Sequence, residues 1–379
     1  MEDLVMFNRK YTMRVAAGAC AAALLFTGCS GKIDDAATLV TINGGEDTIT
    51  LGYGNFVTRY TQATYDQYYS EYYGDTNYWK SKTSEESEET MLDSVKEDIM
   101  YDMKTQYVSR THAKDYDVEI SDQDEKKIKK AAKQFMDSNS EEAIANMGAT
   151  EDYLIRMLED QTYTTMLEEA VRQEGKKQIK DEDVVQTSFT YVHFSKDSDG
   201  DADNGEAESR TEEELLAAAQ KVAASDDFDT TAKEEAKEVY DDCFTKSYSV
   251  KEAVDETGDP KEVIQALKKM KEGEVSDVIE VKDDGWYVVR LNHIEDEQET
   301  ETEREDQMDI YYEDKIDEWK NDTEWDLDEK QWAKVQVDAM YAVSADSEEA
   351  ADEEAADSED ASADETTEET EAVESDAEE

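Results

Sequence analysis

Residues that break secondary structure or bind metals are scarce in this chain. Its 379 residues include one proline, Pro260, and 15 glycines. So few turn-forming residues argue against an all-β domain and favour helices. There are three histidines and three cysteines, and no CxxC or HExxH motif occurs. We therefore expect no metal site, and nothing in the sequence indicates another cofactor.

Positive charge is also scarce. Lys and Arg number 39 against 101 Asp and Glu, which gives a formal net charge of -62. This imbalance argues against binding to nucleic acid, whose phosphates are neutralised by Lys and Arg. The hydrophobic fraction of 37% and the 21 tyrosines are nevertheless enough for a buried core. The length suits about two domains with appendages.

The N-terminus has the pattern of a secretory signal. Arg9, Lys10 and Arg14 precede an apolar run over residues 15–26. Spanning a membrane takes about 20 apolar residues, so this run is too short to do so. A basic segment before a short apolar run is typical of a cleaved leader. The run leads into LFTGC, which ends at Cys29 and resembles a bacterial lipobox.

The lipobox resemblance implies that Cys29 is acylated and becomes the mature N-terminus. Two acyl chains on this cysteine would hold the protein at the extracytoplasmic face of the cell membrane. The sequence departs from the usual pattern at Phe26, where an aliphatic residue is common. The other interpretation of this segment is a short membrane anchor with an incidental cysteine.

The C-terminus is a low-complexity acidic segment. Residues 346–379 hold 18 Asp and Glu and no Lys or Arg. Such a segment cannot bury enough apolar surface to offset the entropy lost on folding, so we predict a disordered acidic tail over 343–379. Two roles fit this tail, a solvating brush and an arm that attracts cations.

The first organised stretch, residues 37–183, is predicted to be helical. A β-prone run at 38–44 ends in a glycine turn, and a helix follows at 51–73. Apolar residues at steps of three and four predict further helices, one of which carries Leu92 and Val95. The tyrosines and methionines of these helices fit either an ordinary core or an adaptable groove for unfolded polypeptides.

The second stretch combines strand and helix patterns. Residues 188–194 form a β-prone run in which Phe189, Tyr191 and His193 share one side. The order β-α-α-α-β-β predicts a small α+β domain. A charged helical segment over 296–342 is expected to pack back on an earlier domain. The helices and strands that follow the first run are predicted at about 212–224, 228–240, 261–270, 277–281 and 286–291.

Several short motifs resemble the parvulin family of peptidyl-prolyl isomerases. KEGEVS at 271–276, a strand and then GWYVV at 285–289 are similar to the family pattern G-E-x-S, strand, G-x-H-I-I. FDTTAK at 228–233 resembles the F-x-x-L-A-K that opens the family's second helix. Residues 40–50 and the helices after them resemble the N-terminal chaperone domain of PrsA/SurA foldases.

Taken in order, these segments resemble a PrsA/SurA-like foldase lipoprotein with a divergent parvulin domain of the PpiC type. The resemblance implies an α+β protein that binds unfolded or emerging secreted polypeptides at the membrane. The implied segments are a signal peptide at 1–28, a lipidated linker at 29–36, a helical chaperone domain at 37–183, a parvulin-like domain at 184–295, a C-terminal helical segment at 296–342 and the acidic tail at 343–379.

The resemblance also implies where the site residues lie. Parvulins use two facing histidines, a Cys or Asp, and an aromatic-lined pocket that holds the proline ring. The corresponding catalytic candidates here are His193, Cys243 and Tyr287. The implied substrate-binding residues are Val263, Met270 and Phe228, and the implied lipidation site is Cys29.

The sequence departs from the parvulin pattern at three of these positions. Tyr287 replaces a histidine, Val263 replaces the pocket phenylalanine, and Cys243 comes later than the family's Cys or Asp. Rotation about a peptide bond has a barrier of about 18–20 kcal/mol, so whether the altered site still accelerates it is left open. The alternative function is a non-catalytic surface lipoprotein that uses both domains for protein–protein docking.

Overall fold

A computed structural model describes the greater part of the chain. The described residues are 24–26, 33–73, 76–84, 87–196, 210–236, 244–251, 257–337 and 341–343. The described residues do not include Cys29, Cys243 or the acidic tail beyond residue 343. The predictions made for these parts of the chain therefore lie outside the described residues.

Helices account for most of the described residues. Short 3-10 turns occur at Asn43–Gly45, Thr76–Lys80 and Ala113–Tyr116. The α-helices are α1 (Leu51–Tyr73), α2 (Met91–His112), α3 (Asp122–Ser138), α4 (Glu141–Met147), α5 (Glu151–Gln178), α6 (Asp181–Val184), α7 (Glu212–Ala223), α8 (Phe228–Ala236), α9 (Lys261–Leu267), α10 (Glu297–Asp322) and α11 (Glu329–Trp332).

The strands are short except in the second half of the chain. They are β1 (Leu24–Phe26), β2 (Thr38–Ile42), β3 (Asp47–Thr50), β4 (Gln186–Ser195), β5 (Phe244–Ser249), β6 (Ile279–Val281), β7 (Gly285–His293), β8 (Trp325–Leu327) and β9 (Tyr341–Val343). Together with the helices they give the mixed α+β class that the sequence predicts.

Side-chain caps fix where several helices begin. The hydroxyls of Thr90, Ser121, Ser140 and Thr211 each accept a backbone N–H of the first helical turn, at the starts of α2, α3, α4 and α7. At Thr90 and Thr211 the third helical residue is acidic, and its carboxylate accepts a hydrogen bond from the backbone N–H of the cap residue, which completes a capping box. The caps satisfy N–H groups that have no partner inside a helix.

The chain forms two compact units. Unit 1 consists of the described residues up to Ala170 and those from Lys315 onward, and unit 2 is Val171–Asp314. In the described part of the chain, no helix is long and apolar enough to cross a membrane.

Unit 1 has a small antiparallel sheet in the order β3-β2-β8. Strands β2 and β3 form a hairpin across Asn43–Gly45, where Asn43, Gly44 and Gly45 all have positive φ. The C-terminal part of the chain returns to this sheet, because β8 pairs with β2 through Val40 and Leu327. Strand β9 pairs with β1.

A buried lysine ties the returning segment to the helices of unit 1. Lys96 of α2 donates from Nζ to the carbonyl oxygens of Trp332 and Val335 at 2.8 and 3.2 Å. Its ammonium also lies 4.6 Å above the centre of the Trp332 ring, a cation–π contact. Trp332 and Val335 are themselves part of the hydrophobic core.

A second buried polar group joins α1 to the same C-terminal segment. The carboxylate of Asp66 accepts hydrogen bonds from Tyr78 Oη, Trp79 Nε1 and Gln62 Nε2, at 2.9, 2.9 and 2.8 Å. It also accepts the backbone N–H of Tyr341 at 2.9 Å. A buried carboxylate is tolerated when its lone pairs are satisfied in this way.

Unit 2 is built on a four-stranded antiparallel sheet in the order β5-β4-β7-β6. On one face, Val192 and Phe194 of β4 meet α7 and α8. On the other face, Phe189 and Tyr191 lie with the apolar side of α9. The alternation of side chains along β4 is therefore as the sequence predicts.

Strand β5 is an element that the sequence pattern leaves out, since it lies between the second and third predicted helices of this domain. It pairs with β4 from Gln186↔Ser249 to Tyr191↔Phe244 and places Tyr248 in the core on the α9 face. Its other residues are mostly exposed, so its apolar content is too low to stand out in the sequence.

Candidate functional site

The candidate site lies on the α9 face of the unit 2 sheet. His193 of β4 and Tyr287 of β7 are direct cross-strand neighbours. Their rings stack with centroids 4.0 Å apart and planes inclined by 11°. Cross-strand partners of an antiparallel pair have side chains on the same face, so the register alone brings these two rings together.

Asp284, in the turn that precedes β7, contacts both residues of this pair. Tyr287 Oη donates to Asp284 Oδ2 at 2.9 Å. Asp284 Oδ1 lies 3.3 Å from His193 Nε2. Among the described residues this buried nitrogen has no hydrogen-bond partner of good geometry.

The β6–β7 turn needs unusual backbone conformations to place Asp284. Asp283 has φ of 62° and Gly285 has φ of 150°, both in the region that favours glycine. A Cβ at Gly285 would clash with the carbonyl oxygen of Phe194 on the neighbouring strand. The glycine therefore allows the close strand approach that sets Asp284 beside the two rings.

Burial keeps both rings uncharged near neutral pH. Desolvation lowers the pKa of His193, and Asp284 offsets only part of this effect. Desolvation and the hydrogen bond to Asp284 both raise the pKa of Tyr287. The site thus presents a neutral imidazole and a neutral phenol whose proton is directed at a carboxylate.

An aromatic surface extends from this pair toward solvent. The ring of Tyr191 lies 6.0 Å from that of Tyr287 and 5.7 Å from that of Phe244. Phe244 is 43% exposed, which is high for a phenylalanine. Lys246 lies 5.5 Å above the Tyr191 ring and pairs with Asp259 at 2.7 Å. We call Tyr191, Phe244, Tyr287 and His193 the aromatic shelf.

The structure brings most of the predicted site residues to this one face. Val263 of α9 is buried in the same cluster as Tyr287, and Met270 packs partly exposed against it. Phe228 belongs to the cluster on the opposite face of the sheet, where Arg290 lies 5.2 Å above its ring. Phe228 is therefore not brought together with the other candidates.

Three residues of the site are absent from the sequence-based set of candidates. Tyr191 lies two residues before His193 in the same strand, so the alternation of side chains along a strand predicts that both lie on one face. Phe244 begins the unpredicted strand β5. Asp284 has no signal beyond its position in a tight Asp-Asp-Gly turn. In the described part of the chain, no group of three or more His, Cys, Asp or Glu side chains could hold a metal ion.

Residues 205–305 match the family model of the PPIC-type PPIase domain. This segment is therefore similar to the PPIC-type peptidyl-prolyl isomerase domain. The matched segment includes Asp284 and Tyr287, whereas His193 lies on β4 just before it and joins the domain through its pairing with β7. No curated protein sequence matches the chain.

Three solved structures that resemble the chain are foldases or chaperones. The foldase PrsA of Lactococcus lactis is 17% identical, with 79% of this chain and 98% of that one covered and a TM-score of 0.30. The peptidylprolyl isomerase PrsA of Bacillus anthracis is 16% identical, with coverage of 63% and 99% and a TM-score of 0.25. The structure of the SurA-like chaperones PEB4 and Cj1289 of Campylobacter jejuni is 12% identical, with 77% of this chain and 99% of that one covered and a TM-score of 0.22. The similarity to the PPIC-type family rests on the match of residues 205–305.

Proposed function

We propose that this protein is an extracytoplasmic foldase chaperone that binds unfolded secreted polypeptides at the membrane surface. A lipid on Cys29 would provide the anchor, and the PPIC-type domain would hold prolyl or other apolar segments. The N-terminal leader pattern and the family match of residues 205–305 support this proposal. The observation that carries it is the aromatic shelf, which leaves Phe244 exposed beside a stacked neutral pair.

The chemistry of the shelf suits binding of a proline ring or another apolar group. Aromatic faces bury large apolar areas at low cost in side-chain entropy. His193 and Tyr287 are neutral, so a ligand that covers them desolvates no full charge on either ring. Val263 and Met270 supply apolar contacts beneath the same face.

Prolyl isomerisation is the second candidate function, and the Asp284–Tyr287–His193 arrangement favours it. Turnover requires stabilisation of a twisted amide that has lost its resonance. By its motif, Tyr287 would take the role of the family's histidine, and rotation of its hydroxyl away from Asp284 would let it donate to such an amide. Cys243 precedes β5 and is retained as a third catalytic candidate.

Two assays on the chain from residue 30 onward test this proposal. We expect suppression of the aggregation of a reduced secretory protein, and we expect Phe244→Ala to weaken it several-fold. Ile310→Ala is the matched control, since Ile310 is a 56% exposed apolar residue of α10 away from the shelf. A wild-type chain that does not suppress aggregation would overturn the chaperone function.

A protease-coupled prolyl peptide assay separates binding from turnover. Activity lost in both His193→Ala and Tyr287→Phe would establish the enzyme. Activity equal to buffer, with aggregation still suppressed, would leave a domain that only binds. A single folded partner recovered in stoichiometric amount, without affinity for unfolded chains, would favour the docking lipoprotein instead.

Anchoring is tested separately in cells. We expect the wild-type chain to incorporate labelled fatty acid and to fractionate with membranes. Cys29→Ser should abolish both, while Cys20→Ser, which removes a cysteine inside the predicted leader, should leave lipid incorporation unchanged.

A further inference from the structure

A cleft in unit 1 combines buried hydrogen-bond donors with local positive charge. It has a volume of about 270 Å³ and lies among β3, α1, α2 and α5. Ile49, Met103 and Tyr107 give it an apolar side. Its polar side consists of Tyr53, Arg110, Arg156 and Asp160, with Lys114 and Asp47 at the exposed rim.

Two guanidinium groups in this cleft share one carboxylate. Asp160 has a side chain only 8% exposed, and Arg110 donates to it at 2.5 Å. Arg156 Nε lies 3.5 Å from the other carboxylate oxygen, outside hydrogen-bond geometry. Among the described residues, Asp160 is the one carboxylate within 4 Å of the two guanidiniums, and Glu159 and Asp47 act on Arg110 from farther away.

Tyr53 contributes a donor that has no partner. The residue is 2% exposed, and its hydroxyl makes no hydrogen bond within the described residues. The guanidinium of Arg156 lies 4.3 Å above its ring, which fixes the two side chains together. Burial and the nearby Asp160 raise the pKa of Tyr53, so its hydroxyl keeps its proton.

Unsatisfied buried donors are costly and rare in folded proteins. A buried polar group without a partner costs about 1–3 kcal/mol. Here two such atoms, Tyr53 Oη and Arg156 Nε, belong to residues that line the same cleft. An incoming acceptor would satisfy both and would balance the second guanidinium.

We propose that this cleft binds a single carboxylate of a polypeptide client, either an Asp or Glu side chain or a chain terminus. The inference rests on the proposed function, because it takes the ligand to be a polypeptide. Arg156 and Tyr53 donate to the carboxylate, Arg110 and Lys114 attract it, and Ile49, Met103 and Tyr107 contact its apolar neighbours. A strongly acidic segment is excluded, because the rest of the chain carries a large negative charge that repels it.

The test uses the full-length chain and peptides that are uncharged apart from one carboxylate. We measure the affinities of labelled Ac-Ala-Leu-Glu-Leu-Ala-NH2 and of its glutamine analogue. The glutamate peptide should bind at least tenfold more tightly. Replacing the C-terminal amide of the glutamine peptide by a free acid distinguishes a chain terminus from a side chain as the source of the carboxylate.

Two variants identify the donors. Tyr53→Phe removes one hydroxyl and Arg156→Gln removes one charge, and each should bring the glutamate peptide toward the affinity of its glutamine analogue. Tyr163→Phe is the matched control on α5, since Tyr163 does not line the cleft. This control should keep the full preference for glutamate, and its loss there would contradict the proposal.

Other outcomes would also overturn the inference. Equal affinity for the glutamate and glutamine peptides would exclude a carboxylate site. Displacement of the peptide by inorganic phosphate at equal concentration would show a general anion site. If the wild-type chain suppresses aggregation but shows no preference for glutamate, this inference fails while the proposed chaperone function stands.

Discussion

The imidazole of His193 stacks on the phenol of Tyr287 at 4.0 Å, and Asp284 contacts the outer edge of both rings. In the motif that resembles parvulins, Tyr287 takes the place of a histidine, and its hydroxyl donates to the carboxylate of Asp284. Burial lowers the pKa of His193 and raises that of Tyr287, so both rings are neutral near pH 7.

The lowered pKa of His193 predicts a dependence of stability on pH. Unfolded histidine takes up a proton near pH 6.5, whereas the folded residue does so only at lower pH. Between these two pKa values the unfolded state binds more protons, so the free energy of unfolding falls as the pH falls. Urea titrations from pH 8 to pH 5 should show a shallower fall for His193→Gln than for wild type. Parallel curves would contradict the assignment.

Gly285 should be irreplaceable in the turn that carries Asp284. Its φ of 150° and the clash of a Cβ with Phe194 predict that Gly285→Ala lowers the free energy of unfolding. We expect a loss of about 3 kcal/mol, from combined backbone strain and overlap. Gly273→Ala is the control, because Gly273 also has positive φ but faces open space, and it should cost about 1 kcal/mol. Chemical denaturation of both variants measures the difference.

Lys96 should matter for stability in spite of its charge. Lys96→Met keeps the aliphatic stem but leaves the carbonyl oxygens of Trp332 and Val335 without their donor. We expect a loss of about 2 kcal/mol in the free energy of unfolding. The exposed Lys133 of α3 offers a matched control, and Lys133→Met should change the free energy of unfolding much less than Lys96→Met does. Equal effects would show that the two carbonyl bonds contribute nothing.

Tyr53→Phe should separate stability from binding. Because the hydroxyl of Tyr53 is buried without a partner, its removal should raise the free energy of unfolding by about 1 kcal/mol. The same variant should lose its preference for the glutamate peptide. A residue in a binding site often lowers the stability of the fold while it is required for binding. Thermal unfolding and peptide titration on one preparation provide both values.

Local patterns in the sequence predict local structure here. The alternation of Phe189, Tyr191 and His193 predicts a strand with one shared face, and the structure confirms it. The α+β class is confirmed as well. The short strands Phe244–Ser249 and Trp325–Leu327 are missed, because they are strands through their pairing with β4 and β2 and their own sequences carry no clear strand pattern.

The site residues show the same division. Motifs in the sequence point to His193 and Tyr287 as candidates, whereas Asp284 reaches them through a turn geometry that no sequence spacing encodes. The cleft around Tyr53 is further from prediction, because its donors come from α1, α2 and α5, which are separated in the chain by many residues. Convergence of this kind becomes visible only in three dimensions.

The pairing of the first strands with the last ones sets an order of assembly. Tyr341 donates to Asp66, which lies 275 residues earlier, and β8 completes the sheet begun by β2. By contrast, all four strands of the unit 2 sheet lie within Val171–Asp314. Contacts between nearby residues form faster than distant ones. As the chain emerges from its N-terminus, the inserted domain can therefore finish folding while Leu39, Val40 and Ile42 still await their partners. During that interval the N-terminal strands are incompletely folded, like the polypeptides that the protein is proposed to bind.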